Sequence, residues 1–124
     1  MEIEDQVCSL RLAKKLKELG VKQDSLFYHC LNVKTFSSYD IQHHLIAIIP
    51  SGEEHYSAFT VAELGEMLPD CFESCRRYKN DWSYSTLDKD NDINHHSFGE
   101  TEADSRARML IYLVENKLID LKGD

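Results

Sequence analysis

Apolar residues spaced three and four apart organise both ends of this chain. Between Val7 and Leu19, Cys8, Leu12, Leu16 and Leu19 recur in that rhythm, with Leu10 and Ala13 beside them. The pattern predicts an amphipathic helix, and Gly20 stands where a left-handed residue would end it. Toward the C-terminus, Ala103, Ala107, Leu110, Ile111, Val114 and Leu118 predict a second helix from 102 to about 119. Its stripe has Met109 and Leu113 at the edges and is expected to lie across a sheet.

The middle of the chain loses that rhythm. "SLFYHCLNV" at 25–33 is rich in aromatic and β-forming residues and reads as a strand. "HHLIAIIP" at 43–50 reads as another, with Pro50-Ser51-Gly52 as the turn after it, and "HYSAF" at 55–59 is expected to pair back across that turn. Thr60 precedes Glu63 by three, the spacing of a capping box, and Phe59 and Leu64 are placed for a hydrophobic staple. The helix they start, "VAELGEML", is short and ends at Pro69. "RRYKNDWSYSTL" at 76–87 reads as one or two strands with a turn at Lys79-Asn80-Asp81.

The stretch 88–100 alternates aspartates in the manner of a calcium loop but fails its two strict positions. Counting from Asp88, Ile93 stands where the turn needs glycine and Gly99 where a bidentate glutamate is needed. It is expected to be a solvated loop, with Thr101 and Asp104 forming a capping pair for the helix that follows. The elements add up to an α+β fold over residues 1–124, a single compact domain. A small antiparallel sheet would be packed by N-terminal and C-terminal helices plus one short central helix.

Composition narrows the class. A chain of 124 residues with 42% hydrophobic and 29% charged positions supports one core. The longest apolar run, "LIAII" at 45–49, is far short of the roughly 20 residues a membrane helix needs. The opening "MEIEDQ" has no apolar signal region, so a cytoplasmic setting is expected. Cys8, Cys30, Cys71 and Cys75 are then expected to be free thiols.

The net charge of −8 is unevenly spread, and this shapes the expected partners. Residues 53–75 carry six carboxylates and no Lys or Arg. Glu63, Glu66, Asp70 and Glu73 within them form a candidate protein-binding strip, which could mimic nucleic acid in a partner's basic groove. The alternative is a nucleic-acid module built from Lys14, Lys15 and Lys17 on the first helix and Arg76, Arg77 and Trp82 on a strand. Tyr78, Trp82 and Tyr84 would share one face there as a base-stacking platform; the plainer expectation packs Trp82 under the last helix. An acidic total disfavours nucleic acid in general.

Candidate chemistry is sparse. Cys71 and Cys75 are one short-spaced pair where a structural zinc site usually shows two, and neighbouring histidines (43–44, 95–96) point to opposite faces if on strands. They are weak metal candidates, and no cofactor is expected. There is no GxSxG, no HExxH and no glycine-rich phosphate loop, so no catalytic residue and no enzyme activity are expected.

Three blocks carry a family likeness: "LAKKLKELGVKQDSLFYH" at 12–29, "YSAFTVAELGEMLP" at 56–69 and "TEADSRARMLIYLVENKLI" at 101–119. Together they cover roughly two fifths of the chain. In this they resemble small uncharacterised proteins encoded by tailed phages and prophages of gut-type bacteria. The resemblance implies a phage origin and the cytoplasm of a bacterial host. It implies no activity. With it, the expected role is a non-enzymatic accessory protein that binds a host or phage protein.

Overall fold

The longest helix organises the molecule. A computed structural model describes residues 3–30, 44–46, 55–69, 72–86 and 95–119. Its helices are α1 (Leu10–Glu18), α2 (Val61–Met67) and α3 (Glu102–Glu115), and its strands are β1 (Tyr28–Cys30), β2 (His44–Ile46), β3 (His55–Ser57), β4 (Phe72–Tyr78), β5 (Asp81–Thr86) and β6 (Ser97–Gly99). α3 packs against α1, α2 and all three strands of the β4–β5–β6 sheet. The fold is α+β, as the periodicities indicate, but with two antiparallel sheets of three strands in place of one.

In the first sheet the order is β2–β1–β3. The strand at 55–57 therefore does not pair back on its predecessor; β3 and β2 each pair with β1 instead. Tyr28, His29 and Cys30 of β1 are all buried, which suits a central strand covered on both faces. In the second sheet β4 starts at Phe72, four residues before the expected strand, and turns through Lys79-Asn80 into β5. Asn80 has φ 61°, a left-handed conformation that asparagine tolerates better than most residues. β6 falls inside the stretch read as a loop. It is three residues with a serine and a glycine, too short to show alternation, while the aspartates at 88, 90 and 92 lie outside the described residues.

The helix ends follow local chemistry. After α1, Gly20 N–H donates to Lys17 O and Val21 N–H to Leu16 O, both at 3.1 Å, with Gly20 at φ 92°. This is a Schellman motif, closed by Val21 packing in the same core as Leu16. The capping box of α2 is complete: Glu63 N–H donates to Thr60 Oγ1 and Thr60 N–H to Glu63 Oε1. α3 ends at Glu115, earlier than 119, in a second Schellman motif (Lys117 N–H to Val114 O, Leu118 N–H to Leu113 O). Its left-handed residue is Lys117, at φ 57°. A side chain costs about 1 kcal/mol there, so Lys117→Gly is expected to stabilise the protein by about that amount. A urea midpoint that stays put or falls would contradict this.

α3 is also rotated relative to its expected stripe. Met109 and Leu113 are fully buried, whereas Ile111 and Val114 are half-buried and Leu118 is exposed. The reason is that α3 is covered from several sides, by helices and by a sheet, so residues on both flanks of the stripe become interior. The core joins them to Leu12, Leu16, Phe59, Leu64 and Tyr84.

Candidate functional site

α1 and α3 run side by side in the same direction. At their N-terminal ends Ser9 N–H donates to Asp104 Oδ1 at 2.7 Å, and toward their C-terminal ends Lys15 Nζ meets Glu115 Oε2 at 3.0 Å. Asp104 thus departs from its expected role. Thr101 Oγ1 accepts from Asp104 N–H at 3.1 Å, but the carboxylate turns away from its own helix to hold the start of α1. Burial raises its pKa, opposed by the Ser9 bond and by Arg108 and Arg11 nearby.

The buried side of α1 is Leu12, Ala13 and Leu16, which leaves its cations outside. Between the two helices lies an open groove of about 420 Å³. Leu12 and Ile111 provide its apolar floor, and Arg11, Lys14, Lys15 and Arg108 surround it with one carboxylate among the described residues, Glu18. Lys15 is paired with Glu115, whose hydrogen bond raises the pKa of its ammonium. Lys14 also lies over the Tyr56 ring at 5.6 Å. Lys17 is drawn away from the groove: it sits 4.9 Å over the same ring and donates to His55 O at 2.9 Å.

No protein-family model, curated protein or solved structure matches this chain. Its own geometry carries the functional argument.

Three members of the acidic strip fall within the described residues, and one of them is already engaged. Both oxygens of Glu63 are occupied: Oε1 accepts from Thr60 N–H and Oγ1–H, and Oε2 accepts from Leu26 N–H at 3.0 Å. Glu66 on α2 and Glu73 on β4 are exposed, and Asp70 lies outside the described residues. The alternative nucleic-acid set is carried by two elements of the fold, both packed on α3. Lys14, Lys15 and Lys17 lie on α1, which packs on α3 and β3, whereas Arg76, Arg77 and Trp82 lie in the β4–β5 hairpin.

The aromatic platform separates by register. Trp82 stands opposite Arg76, but the strands slip between Arg76 and Tyr78, so Tyr78 stands opposite Asp81 and faces the other way. Tyr84, and not Trp82, is the aromatic residue packed into the core, stacked on Phe72 at 5.5 Å. Trp82 is half-buried at a small pocket of about 120 Å³ shared with Arg76 and Glu100. Arg77 bonds Asp81 at 3.5 Å and lies over the Phe98 ring.

Cys75 is exposed on β4, while Cys71 and His43 lie outside the described residues. Among the described residues no group of three metal-ligating side chains comes together. His29 and His95 have other roles: the first meets Cys8 O at 2.7 Å in the core, and the second stacks on Tyr112 with ring centroids 3.7 Å apart. Cys8 is buried, and desolvation pushes its thiol up to about 12, which leaves it neutral and inert.

Lys14 and Lys15 are the groove residues that the sequence marks as a candidate site; it marks neither Arg11, Leu12 and Glu18 on α1 nor, on α3, Arg108 and Ile111. With Asp104 and Glu115 the last two form one row on α3 at spacings of four, three and four. That row is visible in the sequence. Its neighbour across the groove is not.

Proposed function

We propose that this chain is a non-enzymatic interaction protein, a phage accessory factor working in the bacterial cytoplasm, which binds a host or phage protein through the α1–α3 groove. The observation that carries this reading is the segregation of charge. On a chain of net charge −8, Arg11, Lys14, Lys15 and Arg108 converge on an apolar-floored groove. Exposed apolar area rimmed by polar residues marks an interaction site on a soluble protein. The nucleic-acid alternative has less support, because the basic residues are divided between α1 and the β4–β5 hairpin and the Tyr56 ring lies under Lys14 and Lys17. Mimicry by the acidic strip is weakened by the engagement of Glu63 in capping α2.

The test is affinity capture from host lysate with tagged wild type and a Lys14→Glu/Arg108→Glu variant, each with and without nuclease. The expected result is one stoichiometric protein that survives nuclease and is lost with the double reversal, by tenfold or more. Its recovery should also fall as salt rises, since exposed charges are screened beyond about 8–10 Å near physiological ionic strength. Capture that vanishes with nuclease, or that ignores the double reversal, would overturn the reading.

A further inference from the structure

We infer that the groove receives an amphipathic helix whose apolar stripe is flanked by carboxylates. This rests on the groove being the binding surface and adds the chemistry of what enters it.

Three features carry it. First, the groove is the trough between two helices lying side by side in the same direction, tied at one end by Ser9 and Asp104 and at the other by Lys15 and Glu115. A third helix fills such a trough by ridges-into-grooves packing, and its backbone needs no outside partner. An extended peptide would bring unpaired N–H and C=O groups to a groove that, among the described residues, is lined by helices and by no strand.

Second, the floor is aliphatic. Leu12 is buried and Ile111 half-buried, and among the described residues no aromatic side chain lines the groove for a base to stack on. Third, the cations stand on both banks. Arg11 and Lys14 rise from α1, and Arg108 rises from α3. Among the described residues Lys15 is the one of the four in an ion pair, with Glu115, while Arg11 and Arg108 act on Asp104 only through the longer-range field. The remaining three suit carboxylates placed on either side of an apolar ridge, and Glu18 disfavours negative charge at the C-terminal end of α1.

The experiment is fluorescence anisotropy with the full chain and four labelled probes. One is a helical peptide of about 18 residues, long enough to hold a helix, with leucines at steps of three and four between glutamate flanks. The second has the same composition with the stripe scrambled. The third replaces every glutamate with lysine, and the fourth is an oligothymidine of matched length.

The first peptide is expected to bind at least tenfold more tightly than each of the others. Its affinity should drop tenfold or more in Lys14→Glu/Arg108→Glu and severalfold in Ile111→Ser, and stay unchanged in Arg77→Glu, on β4 and outside the groove lining. Thermal melts of each variant separate lost binding from lost fold. Equal binding of the scrambled peptide would show simple polyanion attraction, and tighter binding of the oligothymidine would assign the groove to nucleic acid; either result overturns the inference. If lysate capture depends on the groove while the four probes are silent, the helix inference alone falls. If capture ignores the groove, the underlying reading falls with it.

Discussion

Arg106→Ala is expected to destabilise the protein by about 1–3 kcal/mol, the range for removing a charged donor from its partly buried acceptors. Arg106 reaches from α3 to two other elements. Its Nε donates to Ser74 Oγ on β4 at 3.0 Å, its Nη1 to Val61 O on α2 at 3.0 Å, and its guanidinium lies 5.2 Å from the Tyr84 ring centroid. Glu102 completes the set at 3.4 Å. The alanine variant strands the Ser74 and Val61 acceptors in a half-buried seam. A coupled measurement isolates the mechanism, because a Cβ added at Gly65 would collide with Arg106 Nη1. Gly65→Ala should therefore displace the Arg106 guanidinium and cost its bond to Val61 O, which offsets the gain in helix propensity in the wild type. In the Arg106→Ala background it should stabilise by up to about 1 kcal/mol, since alanine is the better helix former. Urea unfolding of the four-member cycle reads the coupling. Additive effects would mean that Arg106 does not hold α2 through that contact.

The second large effect is expected at Gly99, where β6 crosses the start of α3. A Cβ there would lie 2.7 Å from Ser105 N and 2.9 Å from Asp104 Cβ. The obstacle is backbone and the root of a side chain, so rotation of a flexible tip cannot relieve it. Gly99→Ala is expected to cost about 2–3 kcal/mol, in the range of overpacking in a closed site. Two contacts should loosen with it. Ser97 Oγ–H donates to Ser105 O at 2.6 Å, and Asp104 holds Ser9 N–H. The variant should thus lose protection from hydrogen exchange at Ser9 as well as along β6. A variant that melts like wild type would show that β6 and α3 can separate at no cost.

The helices were legible because they rest on local terms. The Thr60–Glu63 capping box, the Gly20 Schellman motif and the three-and-four spacing each involve residues within one or two turns. The strands were less so. β1, β2 and β6 are three residues each, too few for alternation to declare itself, and β1 is buried at every position. Pairing was harder still. Nothing near residues 55–57 says that β3 will choose β1 over β2, because that choice depends on which strand the rest of the core covers.

The same division holds for the site. From the sequence alone come the amphipathic α1 with its row of cations, the caps, the apolar core residues and the acidic total, all consequences of spacing and composition. The tertiary structure decided which charged residues are free to act. It tied Glu63 to Thr60 and Leu26, placed Lys17 over Tyr56, and slipped the β4–β5 register so that Tyr78 and Trp82 face apart. It also set Arg108 and Ile111 beside Arg11 and Lys14, from positions almost a hundred residues away. The physical reason is range. Capping and amphipathicity act across a few residues of chain, whereas a groove exists only once two helices have been brought together, and their alignment is set by a packed core and by Asp104 reaching across to Ser9.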